Sequence, residues 1–263
     1  MSTGYATIRR ARIVHETSGE GPDLIWGHGL TQSRALEAAA PVVDWSRVGA
    51  RVTRYDTRGH GESDSTPEPS GYTWAALARD QLALADHLGI DRYIAAGASM
   101  GCGTALHAAI QAPHRVTKLV LVIPPTAWET RAARSGAWLT AADTIESDGV
   151  DGMIAAQTAM PVPDPYASDP SYRERSATAI RSWDTTRLAS VMRGAAGADL
   201  PSRADIAALT VPALILSWTG DPVHPPETAA ELARLIPRAE WHTASTAADL
   251  AAWTDRNAAF VSS

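Results

Sequence analysis

Gly97-Ala98-Ser99-Met100-Gly101 is the stretch on which the reading of this chain turns. It follows a short apolar run, Arg92 to Ala98, and precedes a helix-forming stretch, Met100 to Ala112, that Pro113 stops. A serine flanked by small residues at a strand-to-helix junction has a mechanical reading. The turn is so tight that its flanks must lack bulk, and it lifts the serine oxygen above the sheet edge. It also leaves Ser99 at the start of a helix, where backbone N–H groups favour developing negative charge. The plainer alternative is a Gly/Ser turn with no chemistry. The elements around the pentad favour the elbow.

Upstream, Tyr5 to His15, Pro22 to Trp26 and Ala50 to Tyr55 read as strands, the first two separated by the turn Ser18-Gly19-Glu20-Gly21-Pro22. Thr73 to Leu88 carries apolar residues at helical spacing, with Gly89 as a stop signal. Downstream, Thr117 to Ile123 is a strongly apolar strand. Strand, helix, strand in this order predicts a mostly parallel central sheet flanked by helices, an α/β fold with right-handed crossovers.

From residue 126 to residue 206 the pattern changes. Helical stretches around Ala132–Ser147, Val150–Met160 and Ser176–Ala195 are interrupted by Pro161-Val162-Pro163-Asp164-Pro165, and no apolar strand occurs. Residues 126–206 therefore read as a helical cap (lid) inserted into a core made of residues 1–125 and 207–263. The sheet resumes at Val211 to Trp218, followed by a helix (Pro226–Ile236), a short strand (Glu240–Ala244) and a terminal helix (Ala247–Phe260).

Composition excludes several function classes. A net charge of −6 with one lysine, Lys118, gives neither nucleic acid nor an anionic membrane a basic surface to bind. The single cysteine, Cys102, rules out an internal disulfide framework and Cys-rich metal sites; its place one turn into the helix suits a small buried hydrophobe. No phosphate loop, dinucleotide fingerprint or metal-ligand cluster is present, so no cofactor or metal is expected. No apolar run approaches the roughly 20 residues that span a bilayer, and the first residues lack a signal-peptide pattern. The expectation is a soluble, cytoplasmic protein acting on a small molecule; oligomeric state leaves no trace in the sequence.

Three further segments join the pentad. They are Trp26-Gly27-His28-Gly29-Leu30, Asp56-Thr57-Arg58-Gly59-His60-Gly61-Glu62-Ser63-Asp64 and Gly220-Asp221-Pro222-Val223-His224-Pro225. Together they resemble the α/β-hydrolase superfamily, in its esterase, enol-lactone hydrolase and non-haem haloperoxidase-like branch. The resemblance spans residues 20–125 and 205–240 and is weak over the insertion. It implies Ser99 as nucleophile, the backbone N–H groups of Leu30 and Met100 as the oxyanion hole, and Asp221 as the acid that orients a histidine. For Asp221 the alternative is an Asp-Pro turn residue. His28 and His60 read as loop organisers, with His28 also a pocket candidate. Trp26, Trp128 and Trp218 stand equally as pocket lining and as core.

One part does not fit. The family supplies its base from the loop after the last strand, here Ser245-Thr246-Ala247-Ala248-Asp249-Leu250, which holds no histidine. His242 lies inside that strand, and His224 lies three residues past Asp221. Neither occupies the family position, so the sequence names both as candidates and completes no triad. Three readings follow. The first is a serine-dependent hydrolase of a small ester, lactone or thioester with a displaced base. The second keeps the fold but has lost hydrolysis, transforming or binding a hydrophobic metabolite. The third is a binding module without turnover.

Overall fold

The computed structural model describes residues 3–263. Eight strands form one sheet: β1 (Thr3–Ile8), β2 (Ala11–Ser18), β3 (Asp23–Gly27), β4 (Arg51–Tyr55), β5 (Tyr93–Ala98), β6 (Val116–Val122), β7 (Ala213–Trp218) and β8 (Ala239–Ala244). Their spatial order is β1-β2-β4-β3-β5-β6-β7-β8. The β1–β2 and β2–β4 pairings are antiparallel, and all pairings from β4 onward are parallel.

The run read as one strand from Tyr5 to His15 is instead a hairpin. Arg9 and Arg10 form its two-residue loop with φ of 46° and 67°, the left-handed pair that a tight hairpin requires. Two arginines give no turn signal, so the break was invisible in the sequence.

Eleven α-helices are placed among the described residues. In the first half are α1 (Arg34–Ala39), α2 (Trp74–His87) and α3 (Met100–Gln111). Between β6 and β7 run α4 (Trp128–Asp148), α5 (Val150–Ala159), α6 (Tyr172–Arg181), α7 (Thr185–Ala196) and the short α8 (Arg203–Ala207). The chain closes with α9 (Pro226–Leu235), α10 (Ala247–Ala251) and α11 (Trp253–Ser262). The stretch expected as one helix over Ser176–Ala195 divides because the Asp184 side chain accepts from the Arg187 N–H and starts a new helix. No helix among the described residues is long and apolar enough to cross a membrane.

Alternation along the strands sends side chains to two cores, one on each face of the sheet. Leu119 and Leu121 of β6 join Leu77, Leu84 and Leu106 of α2 and α3. Val120 and Val122 join Trp26, Trp253 and Phe260 on the opposite face. The helices of the insertion build a third, separate cluster from Ala142, Ile145, Ile180, Leu188, Ala189 and Met192. Leu30, from the loop after β3, packs against this cluster as well as against the first core.

Strand order fixes where a site can form. From β3 the chain goes to β4 on one side, whereas from β5 it goes to β6 on the other. Loops leaving two adjacent parallel strands in opposite directions open a crevice at their carboxyl ends. Gly27 of β3 and Gly97 of β5 are paired in register there, so the loop carrying Leu30 and the turn carrying Ser99 flank that crevice.

Candidate active site

The turn at Ser99 is as tight as its glycines imply. Ser99 has φ 52° and ψ −109°, a conformation costly for a residue with a side chain. A Cβ on Gly97 would stand 2.3 Å from the Gly101 carbonyl carbon, and one on Gly101 would stand 2.0 Å from the Gly27 carbonyl oxygen. These contacts leave no room for any other residue without moving backbone. The turn delivers the chain into α3, whose first residue is Met100. Cys102, the next turn's thiol, is wholly buried, donates to the Gly97 and Val122 carbonyls at 3.1 Å each, and is pushed well above its ordinary pKa by burial. It is a packing residue.

Of the two histidines that the sequence left open, His224 faces Ser99. His224 Nε2 lies 2.8 Å from Ser99 Oγ, and its Nδ1 donates to Asp221 Oδ2 at 2.7 Å. Both side chains are mostly shielded, at 15% and 12% exposure. The local cause is an Asx turn. Asp221 Oδ1 accepts from the Val223 N–H at 2.8 Å, folding Pro222-Val223 so that residue 224 returns over its own acid. Burial alone would raise the Asp221 pKa. The His224 imidazole, the Val223 amide and the Trp218 indole together reverse that and hold the carboxyl at about 2.

His242 is elsewhere. It sits on β8, half-buried, where its Nε2 accepts from Arg256 at 3.4 Å, and it does not meet Ser99. The loop after β8 is occupied by other business: Asp249 Oδ2 accepts from the backbone N–H and hydroxyl groups of both Ser245 and Thr246, closing a helix cap.

The three tryptophans divide. Trp26 is buried, meets Trp45 in a tilted arrangement at 4.7 Å and donates to Glu37, so it belongs to the core. Trp128 is half-buried at the base of the insertion, donating to the Pro201 carbonyl with the Arg203 guanidinium over its ring. Trp218 donates its indole N–H to Asp221 Oδ2 at 3.0 Å and meets the His224 ring edge-on. Its part is to hold the acid, which the sequence reading missed. The signal was present, since a residue three positions before Asp221 reaches the same turn.

The loop after β3 is organised by two buried histidines. The Thr57 backbone N–H donates to His28 Nε2 at 3.1 Å, which assigns the proton to Nδ1. Nδ1 then donates to the Gly29 carbonyl at 2.8 Å. In a trans peptide the N–H points opposite its C=O, so this bond aims the Leu30 N–H away from His28. Neither the Leu30 nor the Met100 N–H finds an acceptor among the described residues. His60 lies with Nδ1 2.9 Å from the Arg58 carbonyl and Nε2 2.9 Å from the Leu30 carbonyl. Burial lowers the pKa of both rings, that of His28 to about 4, so each is neutral at pH 7. Among the described residues no group of three His, Cys, Asp or Glu side chains is placed to hold a metal ion.

Comparison with known proteins gives this geometry its setting. The alpha/beta hydrolase fold model matches residues 24–255. The chain belongs to that family. N-formylmaleamate deformylase of Pseudomonas putida is 36% identical over 121 residues, 44% of this chain and 42% of that protein. The sn-1-specific diacylglycerol lipase of Mus musculus is 31% identical over 125 residues, 48% of this chain and 40% of its own length. The aligned part of this hydrolase-fold chain thus spans about two-fifths of these relatives. The crystal structure of an enol-lactonase from Burkholderia xenovorans superposes with a TM-score of 0.77 at 25% identity, covering 98% of this chain and 97% of the other.

Proposed function

We propose that this hydrolase-fold chain is a serine-dependent hydrolase of small, uncharged carboxylic esters, lactones or thioesters. Ser99 is the nucleophile, His224 the base, Asp221 the acid that orients it, and the Leu30 and Met100 N–H groups the oxyanion hole. The observation that carries the reading is His224, hydrogen-bonded to Ser99 through one ring nitrogen and to Asp221 through the other. Chemistry follows from those contacts. His224 Nε2 takes the Ser99 proton as Oγ attacks the carbonyl carbon, and negative charge forms on the carbonyl oxygen. Donors that are already unpaired and fixed stabilise that charge without reorganising. The imidazolium, held by Asp221, returns the proton to the leaving oxygen or sulfur, and water repeats the sequence on the acyl-serine.

The insertion, residues 126–206, acts in this reading as a cap. Its partly exposed Trp138, Val150, Met153 and Ile154 pack against the same apolar cluster as Leu30, and in this reading they offer apolar surface to the acyl or alcohol portion. This supports an uncharged substrate. The non-hydrolytic reading rested on the missing histidine after β8, and the imidazole beside Ser99 favours hydrolysis over it. The test is active-site labelling with a fluorophosphonate probe. Stoichiometric labelling lost in both Ser99→Ala and His224→Ala is expected; an unlabelled wild-type protein with no p-nitrophenyl acetate turnover overturns the proposal.

A further inference from the structure

Three successive carbonyls in the loop after β3 are each met by a different side chain. Gly29 O accepts from His28 Nδ1 at 2.8 Å, and Leu30 O lies 2.9 Å from His60 Nε2. Thr31 O accepts from Trp183 Nε1 at 3.3 Å. The first two side chains belong to the core, but Trp183 stands between α6 and α7 of the cap. Its ring also meets His60 edge-on, with centroids 4.9 Å apart and planes at 80°. Leu30 and Trp183 both pack against the cap's own apolar cluster. The backbone that carries the Leu30 N–H is therefore fastened to the core at Gly29, faces His60 at the Leu30 carbonyl, and is fastened to the cap at Thr31.

We infer that Trp183 is a positioning residue through which the cap sets the oxyanion loop, so that a seated cap completes the oxyanion hole. This rests on the reading of Leu30 as an oxyanion donor. The physical reason is rotational. The Thr31 carbonyl lies on the Thr31–Gln32 peptide plane, and only the hinges at the Thr31 and Leu30 Cα atoms separate it from the Gly29–Leu30 plane that carries the N–H, so freeing it lets the chain turn at those hinges and loosens the N–H aimed at the substrate oxygen. An oxyanion donor matters in the transition state more than in the bound ester, so its loosening reads out in kcat rather than KM.

Trp183→Phe keeps an aromatic ring beside His60 and removes the indole N–H with the five-membered ring, whereas Trp183→Ala removes the whole aromatic side chain. Hydrogen exchange measured by mass spectrometry over residues 27–33 is expected to be about threefold or more faster in the Phe variant. kcat for p-nitrophenyl acetate is expected to fall about 3- to 30-fold with KM within twofold, below the roughly 10²–10³-fold loss of a deleted donor. Unchanged exchange in Trp183→Phe overturns the inference, as does a change confined to KM. Should wild-type protein neither label with fluorophosphonate nor turn over ester, the hydrolase reading fails. Exchange alone then decides whether Trp183 fastens the loop. The Phe variant carries the test if the Ala variant does not fold.

Discussion

Asp221 and His224 lie three residues apart on a single turn, and their side chains meet at 2.7 Å with the far ring nitrogen 2.8 Å from Ser99. The carboxylate and the imidazole beside Ser99 thus arrive together, from the loop after β7, and β8 contributes neither.

That placement separates the two histidines the sequence left open. His224→Ala is expected to lower ester hydrolysis by about 10³-fold or more, as loss of a triad base does. His242→Ala, which removes only an acceptor for Arg256, is expected to leave kcat/KM within about twofold. Steady-state kinetics on p-nitrophenyl acetate checks both, and the reverse ranking refutes the assignment.

Trp218 and His224 donate to the same carboxylate oxygen of Asp221. Trp218→Phe keeps the ring and removes the donor, leaving the carboxylate free to turn away from the imidazole. A hydrogen bond to a charged group contributes about 1.5–3 kcal/mol, only part of which reaches the transition state. The expected result is a fall in kcat of about 3- to 10-fold with KM nearly unchanged. A purely packing role would instead lower the melting temperature and leave kcat alone.

Backbone strain at Ser99 has a stability signature. With φ at 52° and ψ at −109°, an alanine side chain retains the steric cost that glycine escapes. Ser99→Gly and Ser99→Ala should both be catalytically dead, yet the Gly variant should be more stable by about 1 kcal/mol, although glycine ordinarily costs stability through the unfolded chain. Urea denaturation of the pair decides it; an Ala variant equal or superior in stability shows a relaxed turn.

The buried rings of His28 and His60 give the fold a pH dependence of definite sign. Both have folded-state pKa values below the ordinary 6.5, with His28 at about 4, because burial disfavours the cation. Between about 4 and 6.5 the unfolded chain binds protons that the folded chain refuses, so stability falls as pH drops through that window. A shift of this size corresponds to about 3 kcal/mol for His28 alone. Equilibrium denaturation at pH 7.5, 6 and 4.5 should show the midpoint falling stepwise, and a His28→Asn variant should flatten the slope. A slope unchanged in that variant places the protons on other groups.

The sheet and its parallel centre were legible because each rests on a signal that survives in one dimension. Val120 and Val122 face one core while Leu119 and Leu121 face the other, and β6 reads as a solid apolar run for that reason. The tight turn at Ser99 was legible because Gly97 and Gly101 are sterically obligatory. The hairpin at Arg9-Arg10 was not, since the left-handed pair there is imposed by the pairing of β1 with β2 and by no local preference of arginine. The contact of His224 with Ser99 was hidden for a different reason. His224 stood in view beside Asp221, but whether a D-x-x-H segment closes on itself depends on the Asx turn at Val223 and on Trp218 behind the acid. Spacing alone does not encode either. Trp26 looked like pocket lining because a tryptophan before a catalytic loop reads the same whether it turns toward the crevice or toward Trp45.

Carrying acid and base on one turn redistributes what can go wrong. A shift of the loop after β7 moves Asp221 and His224 as a unit and leaves their pairing whole. The distance from Ser99 to His224 spans the ends of two strands, β5 and β7, with β6 between them. Heat or mutation that loosens this edge of the sheet therefore parts the serine from an intact imidazole–carboxylate couple. Inactivation would begin as a lost contact across β6, well before the couple itself comes apart.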